Sequence, residues 1–229
     1  MNAGDLHELP GWYGKLSPLG DFAQRRLPAD WVQACDAWLS AVMRESRQRL
    51  GERWLDVYLT APLQRFAWAP GVVDSAWWFG VLMPSCDKVG RYFPLLIAQP
   101  RSQPPTDRIA LDHLDLWYEH LARAAMQTLH EAASLEAFET ELEAAPPWPV
   151  PARLLAVQAQ PLGLGERYAF AAAAPLSQWL PALAAQDLLN RLAGCTLWWR
   201  MGEADSAAGA TLMHGLPDAG GFIDLLSSG

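Results

Sequence analysis

Trp77-Trp78-Phe79-Gly80-Val81-Leu82-Met83 runs for seven positions without a polar residue, and its reading decides the fold class. In an extended chain Trp77, Phe79, Val81 and Met83 line one face while Trp78, Gly80 and Leu82 line the other. A strand with one wet face carries polar residues at alternate positions, and this one carries none, so both faces of its sheet must be covered. Leu63 to Trp68 precedes it across Pro70-Gly71, and Tyr92 to Ala98 follows it across a polar loop. The three runs read as an antiparallel meander. Pro94 has no N–H for a ladder, which places the third strand at an edge or gives it a bulge.

Helices supply the covering layers. Trp31, Cys35, Trp38, Leu39 and Val42 recur at helical spacing and predict a helix from Trp31 to Leu50, capped by Asp30 with Gln33 at the capping-box position and stopped by Gly51. Leu111, Leu114, Tyr118, Leu121, Ala125 and Leu129 predict a second amphipathic helix. Ser134 caps a shorter one, with Leu135, Phe138 and Leu142 inward and Glu136, Glu139, Glu141 and Glu143 read as a solvated face. Gly11 to Phe22, crowded with Gly, Pro, Lys and Asp, reads as an ordered irregular segment.

The stretch 145–151, Ala-Pro-Pro-Trp-Pro-Val-Pro, cannot continue a helix and reads as an extended connector rather than a proline-rich ligand. Beyond it the sequence predicts a helix from Leu176 to Leu192, strands at Thr196 to Arg200 and Thr211 to His214 joined by a flexible loop, and a short helix from Gly221. The late strands are expected to extend the same sheet. The expected architecture is an α/β fold, a three-layer α-β-α sandwich with a central, largely antiparallel or mixed sheet, in one domain over residues 1–229.

Composition narrows the function classes. Of 229 residues, 51% are hydrophobic and 18% charged, a globular balance far from that of disordered chains. The formal net charge of −8 opposes a phosphate backbone, so no nucleic-acid partner is expected. Cys35, Cys86 and Cys195 are odd in number and widely spaced, which suits reduced thiols in the cytosol. The first ten residues lack the basic start and apolar core of a signal peptide, and no apolar run reaches the roughly 18–20 residues of a spanning helix. A cytoplasmic protein without membrane insertion is expected.

Most catalytic constellations fail on spacing. Gly14-Lys15 is followed by Leu16 where a phosphate-cradling loop needs Ser or Thr. His113, Glu119 and His120 lack zinc-protease spacing and no cysteine supplements them, so no metal site and no cofactor are expected. Cys86 lies near Lys88 and Arg91, but a small residue packed at a strand end explains it more simply than an activated thiol. A hydrolase using Ser85, Asp87 and His214 stands as the alternative to a non-enzymatic role, without a nucleophile-elbow context around the serine.

The loop between the second and third strands, Met83 to Pro94, is longer than a hairpin requires and rich in charge. Asp21 or Asp87 can brace Arg25, Arg26 or Arg91, fixing the irregular amino-terminal segment against this loop. Lys15, Asp21, Arg25, Asp87 and Arg91 are therefore candidates either for partner binding or for bracing one loop on another.

A family resemblance runs through these same stretches. Gly11-Trp12-Tyr13-Gly14-Lys15-Leu16, Gly20-Asp21-Phe22, Arg25-Arg26-Leu27-Pro28, Trp38-Leu39, Ser46-Arg47, Trp54, Tyr58 to Pro62, Arg65-Phe66, Gly80-Val81-Leu82, Pro84-Ser85, Asp87 and Gly90 to Pro94 occur in the order of one pattern. That pattern resembles the TagF/ImpM family associated with bacterial type VI secretion. A weaker echo follows in Leu197-Trp198-Trp199 and His214 to Pro217, before Phe222 and Leu225-Leu226, while Pro100 to Pro175 carries no motif of it. Ser17-Pro18 stands where the family usually has Pro-Ser, and Arg200-Met201-Gly202-Glu203 replaces its usual Thr and Gly-Ser after the paired tryptophans. The resemblance implies a post-translational accessory regulator, a repressor in some members, that binds a type VI secretion component such as a forkhead-associated-domain scaffold. It implies no catalysis.

Overall fold

The computed structural model describes residues 9–149, 157–170, 175–200 and 209–227. The meander forms as expected: β3 (Gln64–Trp68), β4 (Trp77–Met83) and β5 (Leu95–Arg101) pair antiparallel, with Phe66 opposite Gly80 and Gly80 opposite Ala98. The segment expected to be irregular is instead ordered by pairing. β1 (Gly11–Gly14) lies antiparallel on β5, and β2 (Ala23–Arg25) lies on β1. β5 is therefore an interior strand, and Pro94 sits just before it rather than marking an edge.

β8 (Cys195–Arg200) adds to the free side of β3 and β9 (Ala210–His214) adds to β8, giving a seven-stranded antiparallel sheet in the order β2-β1-β5-β4-β3-β8-β9. A separate hairpin, β6 (Val157–Leu162) with β7 (Gly165–Phe170), was not signalled by the sequence pattern. The loop expected to be flexible, 201–208, lies outside the described residues, as do residues 150–151 of the connector.

Each sheet face has its own core. α1 (Ala29–Leu50), α2 (Trp54–Thr60) and α6 (Ala219–Ser227) cover the face bearing Trp68, Trp78, Leu82 and Trp198. α3 (Arg108–Gln127) and α4 (Leu135–Glu143) cover the face bearing Trp77, Phe79, Val81 and Met83, where α5 (Leu176–Leu192) adds Leu189 and Leu192. The alternation read from Trp77 to Met83 is thus the division between the two cores. Burying one such side chain contributes about 1.5–3 kcal/mol, and aromatic stacking adds geometry: Trp31 lies 4.3 Å from Trp78, and Phe66 lies 4.4 Å from Trp68.

Gly80 makes room for this stack. A Cβ there would stand 2.0 Å from the Ile97 carbonyl and 2.7 Å from the Phe66 ring. The carboxyl-terminal helix is held from both sides, because Trp38 Nε1 donates to the Pro217 carbonyl at 2.7 Å and Gln64 Nε2 to the Leu225 carbonyl at 2.8 Å.

Helix ends follow local chemistry, with one exception. Asp107 and Ser134 cap α3 and α4 by accepting from Ala110 N and Ala137 N. Asp30 does not cap α1; the chain enters from Pro28 and Asp30 lies inside the first turn, where its charge suits the helix dipole. Gly51 takes φ 55° and ends α1, leading through one turn of 3₁₀ helix into α2. The connector is anchored rather than loose, since Trp148 packs on Phe79 and Trp117 with centroids 4.8 and 5.1 Å away.

Candidate functional site

The loop from β4 to β5 folds back on itself as a small hairpin. Cys86 bridges Tyr92, Asp87 N donates to the Arg91 carbonyl, and Gly90 closes the tip at φ 81°. Asp87 organises it from inside: Oδ1 accepts from Val89 N at 3.1 Å and Arg91 N at 2.9 Å. Its Oδ2 accepts from Lys15 Nζ at 2.8 Å and Arg91 Nε at 2.7 Å. The Asp87 side chain is fully buried and that of Lys15 is 5% exposed. Burial alone would raise the carboxyl's pKa, but the Lys15 ammonium and the Arg91 and Val89 donors outweigh it and hold it well below the ordinary carboxylate range.

The amino-terminal segment is fastened to this hairpin along its length. Ser85 Oγ donates to the Lys15 carbonyl at 2.8 Å, Lys88 N to the Leu19 carbonyl at 3.0 Å, and Arg91 Nη2 to the Gly20 carbonyl at 2.5 Å. Arg91 also lies 3.9 Å from Asp21, with both side chains largely exposed. From the far side, Tyr58 Oη donates to the Ser85 carbonyl at 2.9 Å while accepting from Ser85 N at 3.0 Å. Burial, more than any neighbouring charge, pushes the Tyr58 phenol well above its usual range, so it remains a neutral donor.

A second buried carboxylate holds the other end of the amino-terminal segment. Glu139, read from the sequence as solvated, is 6% exposed and accepts from Trp12 Nε1 at 2.5 Å and Arg26 Nη1 at 2.6 Å, with Arg25 Nη1 at 3.4 Å. Arg26 needs this support: it sits at φ 61°, which costs a side-chain-bearing residue of order 1–3 kcal/mol. The signal was present in the spacing. Leu135, Phe138, Glu139 and Leu142 follow the i, i+3, i+4, i+7 pattern of one helix face, which places the glutamate inward.

Residues 11–145, spanning β1 through α4, match the TagF N-terminal domain, described as type VI secretion system-associated. The chain belongs to the TagF family. The crystal structure of PA0076 from Pseudomonas aeruginosa PAO1 is similar over 96% of this chain and 94% of that chain, at 38% identity and a TM-score of 0.75. No curated protein matches the chain. The TagF N-terminal match ends where the connector begins, yet β8, β9 and α6 complete the same sheet and its cover, and the likeness to PA0076 extends over them.

The five polar residues singled out from the sequence divide by environment. Lys15 and Asp87 are buried against one another, whereas Asp21, Arg25 and Arg91 have side chains more than half exposed. Arg91 joins the Asp87 hub, but Arg25 belongs to the Glu139 cluster.

Ser85, Asp87 and His214 do not converge, which corrects the hydrolase alternative. Ser85 leaves β4 at the end where Leu82 pairs Gln64 and Gln64 pairs Arg200. His214 pairs Cys195 at the opposite end of the sheet, beyond the Trp68 pairing with Thr196, and its Nδ1 lies 3.4 Å from Cys195 Sγ. Asp87 is already saturated by Lys15, Arg91 and Val89. His120 is 6% exposed and satisfied: Nε2 donates to the Glu141 carbonyl at 2.7 Å, which leaves Nδ1 to accept from Arg123 at 2.8 Å. Among the described residues no group of three or more His, Cys, Asp or Glu side chains is placed to hold a metal, and no helix is long and apolar enough to cross a membrane.

Proposed function

We propose that this chain is a non-enzymatic, cytoplasmic regulator of type VI secretion that acts after translation by binding a component of the apparatus, with a forkhead-associated-domain scaffold as the partner and repression as the outcome. Family membership across residues 11–145 is the observation that carries this reading. The site geometry supports binding over chemistry, because the buried polar groups of the family motifs serve to lock two segments together. Asp87 and Lys15 act as braces, and Asp21, Arg25 and Arg91 are the members of the set whose side chains remain open to a partner.

The test is co-purification of the full chain with the cell's forkhead-associated-domain secretion protein, paired with secretion assays in a deletion strain. The expected result is a retained partner and increased export on deletion. Export that does not change on deletion refutes the regulatory role; a change without the partner moves the binding assignment to another component.

A further inference from the structure

Beside the braced hairpin, α1 and the loop before β5 enclose a groove of about 450 Å³. Arg44, Arg47 and Gln48 stand along one wall, Phe22 and Tyr92 along the other, and Phe93 lies at its floor. Arg44 is exposed and makes no ion pair or hydrogen bond with any described residue. Arg47 has no carboxylate among the described residues either; its guanidinium lies 4.2 Å over the Trp54 ring.

That platform is held from beneath. Trp54 Nε1 donates to Ser46 Oγ at 3.0 Å, Ser46 Oγ donates to the Met43 carbonyl at 3.0 Å, and Trp54 stacks on Tyr58 at 4.9 Å. A guanidinium resting on an indole keeps its edge N–H groups for an acceptor and loses less freedom when it binds one. Across the groove Phe22 is 45% exposed although it is pinned edge-on to Phe93 at 4.8 Å. The groove thus presents two uncompensated guanidinium groups one helical turn apart, facing a fixed aromatic edge, on a protein of net charge −8.

We propose that this groove docks an acidic segment of a partner protein, with carboxylates on Arg44 and Arg47 and an apolar side chain seated between Phe22 and Tyr92. The proposal rests on the binding role above and assigns it a surface. Charge complementarity selects the occupant: planar guanidinium forks match carboxylates, and the aromatic wall rewards an apolar neighbour. The overall negative charge of the chain disfavours a nucleic acid in the same place.

The test titrates the full chain with a labelled, end-blocked peptide in which a central Leu-Phe pair is flanked by aspartates and glutamates, and with its Asn/Gln twin. The acidic peptide is expected to bind about tenfold or more tighter than the twin. That preference should shrink as NaCl rises from about 50 to about 300 mM. Arg44→Glu/Arg47→Glu should abolish the preference while near-ultraviolet dichroism shows a native fold and the thermal midpoint falls only by the few degrees that the lost Arg47–Trp54 contact and the helix end account for. Phe22→Ser should weaken both peptides. Equal binding of the two peptides, or a folded double-glutamate variant that binds like the parent, overturns the proposal. In cells, normal control by the double variant beside altered export on deletion refutes the groove alone; unaltered export on deletion removes the regulatory reading and the groove with it.

Discussion

Replacing Glu139 with alanine tests whether the amino-terminal strand pair is held by one buried carboxylate. The substitution leaves Trp12 Nε1, on a side chain 1% exposed, without its acceptor. It also strips Arg26 of its carboxylate, leaving, among the described residues, the Nε bond to the Pro10 carbonyl at 2.8 Å. An orphaned buried donor costs about 1–3 kcal/mol, and removing one partner of a buried ion pair costs about 3–5 kcal/mol. These overlap in the same group, so Glu139→Ala should lose about 4 kcal/mol in all. For a chain of this size that corresponds to a fall in melting temperature of about 8–16 °C. Urea denaturation followed by tryptophan fluorescence gives the free energy directly. Glu139→Gln, which keeps acceptor capacity but not charge, should fall between the parent and the alanine variant. Glu139→Met combined with Arg26→Met should recover the ion-pair part of the loss, since an apolar replacement removes both halves of that pair, while the cost of the orphaned Trp12 Nε1 remains. A loss below about 1 kcal/mol for Glu139→Ala, in the range of exposed pairs, would refute the reasoning.

Gly80→Ala drives a Cβ against the Ile97 carbonyl and the Phe66 ring and should destabilise by about 1–3 kcal/mol, read as a lowered urea midpoint. The Asp87 carboxyl, depressed in the folded state, contributes stability that is fully present above its unfolded pKa of about 3.9 and is lost as pH falls toward and through the folded value. Asp87→Asn should therefore be less stable than the parent at neutral pH, and the gap should narrow below about pH 4; a constant gap down to pH 2 in denaturation curves would contradict the pairing. Burial, then the charge of Asp74, pushes the Cys35 thiol well above its usual range, so at pH 8 maleimide should label Cys35 at the rate of global unfolding, while the half-buried Cys86 labels in the native state. Labelling of Cys35 as fast as Cys86 would show that the α1 core opens locally.

Several site features lay within reach of the sequence, and the misses have identifiable causes. Asp87 and Arg91 stood out because charges are conspicuous between apolar runs, and their opposite signs suggested bracing; Lys15 was a candidate too, but its pairing with Asp87 came only from the structure. Glu139 was misread because its neighbours in sequence are glutamates, although its helical phase matched Leu135 and Leu142. Gly11 to Gly14 was read as irregular because glycines flank it, yet a strand that receives its ladder from β5 has little need of intrinsic propensity. Pro94 was read as marking an edge or a bulge, and the edge alternative failed for the same reason: the unseen β1 occupies the side that was counted as open.

Periodicity and turn chemistry by themselves determined the three layers, the antiparallel meander and nearly every helix, because apolar phase and caps are written in residues a few positions apart. The ordered motifs also pointed to the family. Partner choice among charges was decided only by the tertiary structure. Arg25, Arg26 and Arg91 sit in one short vocabulary of basic residues, but the strand register sends two of them to Glu139 and the third to Asp87. The same register puts Ser85 and His214 at opposite ends of the sheet. Arg91 and Asp87 are only four positions apart, but the Glu139 pairs and the separation of Ser85 from His214 relate residues more than a hundred positions apart, where sequence spacing carries no geometric information.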